Sequence, residues 1–113
     1  MPTRRLLLAM PALLALRPRA GSAQTGWPER TVRIVVPFAP GGVIDVVARL
    51  IAEPLAREVA PNVIVENLPG AGSTIGARAV ARAAPDGHTL LLNGAAHPVI
   101  PALYPDVGFD AVA

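Results

Sequence analysis

Cysteine is absent from this 113-residue chain, and serine and histidine each occur only twice, which excludes several kinds of chemistry. Without cysteine there is neither a disulfide nor a thiolate ligand, and His88 and His97 lack paired metal-ligand spacing with acidic residues. Neither Ser22 nor Ser73 lies in the Gly-x-Ser-x-Gly turn of a serine hydrolase. The glycine motifs of nucleotide-binding loops are also missing. We therefore expect no enzyme activity, no cofactor and no metal site.

The first 23 residues have the parts of an export signal. A basic start at Arg4 and Arg5 precedes a short apolar stretch from 6 to 16, and small residues follow. The apolar stretch is too short to span a bilayer and contains Pro11, so we predict a cleaved signal peptide at 1–23. The paired arginines leave two routes open, general secretion and twin-arginine export. Both routes lead to the periplasm.

The formal net charge of +2 comes from the predicted signal peptide. Four of the ten arginines lie there, so residues 24–113 hold six arginines against eight acidic residues. A nucleic-acid partner loses its electrostatic support, because the basic excess lies in the segment that is removed. We expect the remaining chain to bind no nucleic acid and not to be embedded in the membrane.

Strand-like and helix-like segments alternate along residues 24–113. The predicted order is a strand at 32–36, a helix at about 43–60, a strand at 63–67, a short helix that Ser73 or Thr74 can cap and that reaches about Arg82, and a strand at 89–92. One further helical turn is expected near Ala102 and Leu103. The alternation predicts an α/β fold with right-handed βαβ units and a mainly parallel sheet.

The first predicted helix carries apolar residues at helical spacing. The expected core-facing stripe is Val43, Val46, Val47, Leu50, Ile51 and Leu55, with Arg49, Glu53, Arg57 and Glu58 facing outward. Pro54 removes one backbone hydrogen bond and is expected to kink the helix. The second helix contains Gly76, Ala77 and Ala79, whose small size would allow close packing on the sheet.

The turn after the first strand is the first candidate binding site. Ala39, Pro40, Gly41 and Gly42 link a buried strand to a helix, so backbone N–H groups and the positive helix end point to one spot. Glycine lets a ligand approach the main chain. Asp45 falls in the first helical turn, where capping is its leading role and contact with a ligand its second. A tight turn without a ligand is the alternative.

A second turn repeats this arrangement after the second strand. Gly72, Ser73 and Thr74 offer further N–H groups and two hydroxyls, and turns at the same edge of a parallel sheet can converge on one anion. His97 lies in the loop beyond the third strand, on the same side. It is either an ordinary surface-loop histidine or a contact to a carboxylate.

Four blocks of the sequence resemble one family of transport proteins. They are Trp27-Pro28 with residues 32–45, then Val65-Glu66-Asn67-Leu68-Pro69-Gly70-Ala71-Gly72, then Pro85-Asp86-Gly87-His88-Thr89-Leu90-Leu91, and last Pro101-Ala102-Leu103-Tyr104. Their order and spacing are similar to those of the solute-binding proteins of tripartite tricarboxylate transporters, the Bug or TctC family. Among the departures, Ile44 stands where a small hydroxyl residue is usual, and Leu68 where arginine is common.

The resemblance implies a fold and a function. Members are two-lobed periplasmic receptors that close over a small carboxylated solute and deliver it to membrane components of the transporter. Their ligand carboxylate is held by backbone groups and ordered water at loops like 39–42 and 72–74. Residues 24–113 are then expected to be the N-terminal part of lobe one, an incomplete periplasmic-binding-protein-like lobe holding its first βαβαβ. The alternatives are an exported remnant without ligand-binding function and, less favoured, a small α/β enzyme.

Overall fold

The computed structural model describes residues 26–111; the predicted signal peptide, 1–23, lies outside them. The elements in chain order are β1 (Val32–Val36), α1 (Val43–Glu58), β2 (Val63–Asn67), a 3-10 turn (Ala71–Ser73), α2 (Thr74–Ala81), β3 (Thr89–Leu91), a second 3-10 turn (His97–Val99) and α3 (Ile100–Leu103). The predicted order of strands and helices is confirmed. Within the described residues, no helix combines the length and apolar character needed to cross a membrane.

The three described strands form one parallel sheet with the order β2-β1-β3. Val32 pairs with Val63 and Val36 with Asn67, while Ile34 pairs with Leu90 on the other side. The central strand is apolar at four of five positions, and Val36 is fully buried, as a strand covered on both faces requires. The predicted α/β class with a parallel sheet is thus confirmed.

Helix α1 packs on the sheet with a different face from the predicted one. The core contains Ile34, Val36 and Ala48, and the partly buried residues packed against it include Ile44, Ala52 and Leu55. Of the predicted stripe only Leu55 belongs to this core, whereas the other five are exposed: Val43, Val46, Val47, Leu50 and Ile51. The predicted packing face was therefore wrong. Ala48 is fully buried on the packed face, and Ile44, Ala52 and Leu55 lie partly buried beside it.

Pro54 lies inside α1, and the helix continues on both sides of it. The helix ends two residues before the predicted boundary, where the N–H groups of Val59 and Ala60 both donate to the carbonyl of Leu55. An exposed ion pair between Glu53 and Arg57 spans one turn, as their spacing predicts.

Helix α2 lies on the opposite face of the sheet, close to the end of β1. Side chains alternate along a strand, so Pro37 faces away from the side where Ile34 and Val36 meet α1. Gly76 in α2 packs against Pro37, and a Cβ built at Gly76 would lie 2.8 Å from the Pro37 Cβ. Ala77 is buried as predicted, but Ala79 is exposed.

Candidate functional site

Three loops leave the sheet at the same edge. The strands are parallel, so their carboxyl ends at Val36, Asn67 and Leu91 lie side by side. The first loop leads into α1, the second into the 3-10 turn and α2, and the third into the His97–Val99 turn. This edge is where open α/β sheets bind ligands, and every candidate ligand-binding residue from the sequence lies in these loops or in the helical turns that follow them.

The first turn presents backbone N–H groups at the start of α1. Gly42 is the N-cap residue, and its N-terminal neighbour Gly41 has a φ of +86°, in the left-handed region that favours glycine. The first intrahelical bond runs from the N–H of Val46 to the carbonyl of Gly42. The N–H groups of residues 43–45 therefore have no acceptor within the helix, and no side chain caps them. Residues 39–43 are exposed, so a small anion can reach this helix end.

Asp45 is buried beneath this turn, with only 3% of its surface exposed. One carboxylate oxygen, Oδ2, accepts hydrogen bonds from the N–H of Gly41 at 2.8 Å and from Nε of Arg49 at 3.0 Å. The other, Oδ1, accepts from Nδ2 of Asn67 at 2.9 Å. Both oxygens are therefore used to hold the turn and the end of β2, and Asp45 does not cap the free N–H groups of residues 43–45 as expected. Contact between Asp45 and a ligand stays a prediction.

The surroundings of Asp45 stabilise its ionised form. Hydrogen bonds from Arg49, from the Gly41 N–H and from Asn67 lower the pKa of Asp45 from 3.8 to about 2, in that order of size, although burial works in the opposite direction. The Arg49 guanidinium also compensates the negative charge locally. A carboxylate in this setting repels an incoming anion much less than an unpaired one would.

We expect the carboxylate of Asp45 to stabilise the fold only where it is ionised. Its pKa is lower in the folded chain, so its contribution is complete above the ordinary value of 3.8 and is lost as pH falls through about 2. Urea unfolding at a series of pH values, for the wild type and for Asp45→Asn, measures the difference in the free energy of unfolding. The difference should be constant above that window and should shrink within it. A difference unchanged down to pH 2 would contradict the expectation.

The second turn has a left-handed backbone. The φ values of Gly70, Ala71, Gly72 and Ser73 are +124°, +46°, +61° and +75°. Two of these residues are not glycine, and the left-handed region costs such residues roughly 1 kcal/mol each. The N-cap of α2 is Ser73, one of the two candidates, but its side chain makes no capping hydrogen bond. Ser73 is therefore the N-cap by position, as one of the two predicted alternatives, but the left-handed turn keeps its side chain from capping the helix.

Tyr104 lies over the second turn. A Cβ built at Gly72 would come within 2.5 Å of the Tyr104 hydroxyl, so the ring is in close contact with the turn backbone. Thr74, the first residue of α2, is buried. An open cavity of about 350 Å³ lies beside it, lined by Ala71, Thr74, Ile75, Arg78, Leu103, Tyr104, Pro105, Asp106 and Val107. Arg78 holds the far wall by donating from Nε to the Val107 carbonyl at 2.9 Å.

His97 begins the 3-10 turn of the third loop. Its ring stacks on Phe109 with centroids 5.8 Å apart, and its Nδ1 lies 2.7 Å from Nδ2 of Asn93. Nδ1 therefore accepts a hydrogen bond within its own loop, and the imidazole is held by two neighbours. Contact between His97 and a ligand stays a prediction. Across residues 26–111, no three acidic or histidine side chains are placed together as metal ligands.

Sequence reasoning missed three residues that shape this edge. Asn67 and Arg49 complete the network around Asp45, and Tyr104 covers Gly72. Asn67 was visible as the polar end of an apolar strand, since Val63–Asn67 begins with three apolar residues. Arg49 follows Asp45 at helical i,i+4 spacing, which is the spacing of an ion pair. Tyr104 gave no local signal, because its contact joins segments 32 residues apart.

Comparisons with known proteins agree with this architecture. The family model described as "Tripartite tricarboxylate transporter family receptor" matches residues 47–113. A UPF0065 protein of Bordetella bronchiseptica is 48% identical over 95% of this chain and 32% of its own length. Among solved structures, the periplasmic binding protein BugD is 47% identical with a TM-score of 0.68, over 75% of this chain and 28% of its own.

A second solved structure carries a ligand. MatC from Rhodopseudomonas palustris, with bound malate, is 45% identical with a TM-score of 0.67, and the match covers 75% of this chain and 29% of MatC. The chain thus spans about a third of the length of the relatives it matches. The family-model match covers more than half of this chain, and the fold matches the solved relatives over 75% of it. The chain belongs to the tripartite tricarboxylate transporter receptor family, known also through its Bug members.

Proposed function

We propose that this chain forms the first part of lobe one of a periplasmic receptor for a small carboxylated solute. The observation that carries the proposal is the first turn, where residues 43–45 present N–H groups without intrahelical acceptors at the carboxyl edge of the sheet. The solute would then reach membrane components of a tripartite transporter. Neither catalysis nor nucleic-acid binding forms part of this function.

The turn suits a carboxylate for two reasons. Backbone N–H groups at a helix start donate to anions, and the helix dipole adds a favourable field of about 0.3–1 kcal/mol. The nearby acid, Asp45, has both oxygens engaged by Gly41, Arg49 and Asn67, which limits its repulsion of the ligand. Family membership and the malate bound to the relative MatC support a carboxylate as the ligand class.

The second turn and the third loop extend the proposed site. The loop after β2 brings Gly72, Ser73 and Thr74 to the same edge. The backbone of residues 70–73 is left-handed, and strained backbone of this kind is concentrated at functional sites. Among the proposed ligand contacts, His97 lies furthest along the chain from the first turn. Export to the periplasm rests on the predicted signal peptide at 1–23, with the general-secretion and twin-arginine routes both open.

Titration of malate into the isotope-labelled, purified chain, followed by backbone amide NMR shifts, tests the proposal. We expect saturable shifts concentrated at residues 39–46 and 70–75, with weak affinity, because a single lobe supplies only part of a two-lobed site. Malic acid diamide, which is neutral and of similar shape, serves as the control ligand and should produce no saturable shift.

Either of two results would overturn the proposal. Absence of saturable shifts with malate, succinate and citrate would favour the exported remnant without ligand-binding function. Equal shifts with the neutral diamide would show that the turn does not recognise a carboxylate. Mass spectrometry of chain recovered from the periplasm checks export separately: loss of residues 1–23 is expected.

A further inference from the structure

Asn67 occupies a position that joins three parts of the candidate site. It is the last residue of β2 and pairs with Val36 at the end of β1, so its side chain lies at the binding edge. Its Nδ2 donates to the carbonyl of Phe38 at 3.1 Å and to Oδ1 of Asp45 at 2.9 Å. Its Oδ1 accepts from Arg49 at 3.3 Å. Both amide hydrogens and the amide oxygen are therefore used at once.

These bonds fix both ends of the first turn. Asn67 holds the carbonyl of Phe38, where the turn leaves β1, and it holds Asp45, which in turn accepts from the N–H of Gly41. The backbone from residue 38 to residue 41 is therefore tied at one end directly and at the other through Asp45. The free N–H groups of α1 begin two residues later, so the same bonds set where they point.

Asparagine is well matched to this position by its chemistry. The surroundings offer two acceptors, a carbonyl and a carboxylate, and one donor, the Arg49 guanidinium. Aspartate would place a second negative charge against Asp45 and would leave the Phe38 carbonyl without its donor. Serine has one donor hydrogen and a shorter reach, so it could serve only one of the acceptors.

We propose that Asn67 is a positioning residue for carboxylate binding, which acts through Asp45 and the Phe38 carbonyl without touching the ligand. This inference rests on the proposed function. It assigns to β2 a direct part in the geometry of the first turn, and it explains why Asp45 is buried and paired at an anion-binding edge. The ligand then meets preset backbone N–H groups and does not have to order the turn itself.

The test compares Asn67→Asp with the control Asn62→Asp, which makes the same charge change at an exposed position before β2. Malate affinity is measured from amide shifts, and the free energy of unfolding from urea titration. We expect Asn67→Asp to weaken malate binding about tenfold, the size of one lost hydrogen bond to a charged group. The Gly41 amide resonance should also move in unliganded Asn67→Asp. Asn62→Asp should change neither the malate affinity nor the Gly41 amide resonance.

A swap variant separates positioning from general stability. In Asp45→Asn combined with Asn67→Asp, the amide at position 45 can donate to the carboxylate at position 67, which still accepts from Arg49, while the Phe38 carbonyl stays without its donor. Position 45 also keeps an acceptor for the Gly41 N–H. We expect the swap to recover at least half of the lost affinity, expressed as free energy, and to return the Gly41 amide resonance toward its original place. Asn67→Ser, expected to weaken binding about threefold, replaces Asn67→Asp if that variant does not fold.

The outcomes distinguish this inference from the proposed function. If the wild type binds malate and Asn67→Asp binds it within twofold, the positioning role is wrong and the receptor function stands. Loss of affinity without any recovery in the swap also overturns the positioning role, because it indicates a general loss of packing. If the wild type does not bind malate, the receptor function fails and the inference fails with it.

Discussion

Replacing Gly76 by alanine should destabilise the fold by about 2 kcal/mol, although alanine is the better helix former. The new Cβ would lie 2.8 Å from the Pro37 Cβ, 3.0 Å from the Leu68 carbonyl oxygen and 3.1 Å from the Pro37 Cα. These atoms belong to the backbone or to a rigid ring, so they cannot move aside as a flexible side chain would. The better helix propensity of alanine stabilises the variant by about 1 kcal/mol, but overpacking destabilises it by about 3 kcal/mol.

Urea unfolding followed by far-ultraviolet circular dichroism measures this effect. The expected loss corresponds to a fall in melting temperature of roughly 10 °C for a domain of this size. Gly26→Ala is the matched control, because no atom lies within 4 Å of its added Cβ. A Gly76→Ala variant as stable as the wild type would show that α2 does not sit this close to β1 in solution.

The strands of this fold were predictable because their signals are local. Val32–Val36 and Val63–Asn67 match the predicted bounds, and the third strand differs from its prediction only by Leu92. Short apolar runs bounded by proline, glycine and asparagine leave few alternatives for a strand. The position of the candidate site follows from the same signals, since parallel strands bring their following loops to one edge.

The packing face of α1 was not predictable from apolar spacing. Apolar residues surround most of this helix, so several stripes satisfy the helical period. The packed face is set at the helix start, where Asp45 is tied to Gly41 and Asn67 and thereby fixes the rotation of α1. Ala48 is then fully buried against Ile34 and Val36 of β1. The hydrogen bond between Asp45 and Asn67, which are 22 residues apart, therefore sets the packing face that the local apolar pattern does not determine.

The polar network and the second turn escaped sequence reasoning for related reasons. Asn67 receives its role from partners in the first turn and on α1, and no residue next to it in the chain indicates them. Ser73 looks like a helix cap by type and place, but the backbone of residues 70–73 enters the left-handed region and removes that option. In both places long-range geometry overrides a local preference.

Replacing Gly42 by alanine should leave the fold intact and weaken malate binding by about tenfold or more, which is about 1.4 kcal/mol. Gly42 has a φ of −77°, a value open to any residue, and the nearest atom to an added Cβ is the Ala39 carbonyl oxygen at 3.6 Å. The folded chain therefore accepts the methyl group. A carboxylate approaching the N–H groups of residues 43–45 would meet that methyl group beside the helix end.

Gly41→Ala is the contrasting variant for this prediction, because it is expected to change stability and not access to the helix start. Its Cβ meets nothing within 4 Å, but its φ of +86° lies in the left-handed region, so alanine there should cost stability of roughly 1 kcal/mol. Malate titration and urea unfolding on both variants separate the two effects. If the added methyl group blocks the ligand, Gly42→Ala loses malate affinity while its free energy of unfolding stays unchanged. Gly41→Ala is instead expected to lower the free energy of unfolding. If Gly42→Ala binds malate as the wild type does, the ligand does not approach the start of α1, and the anion site must lie at the second turn.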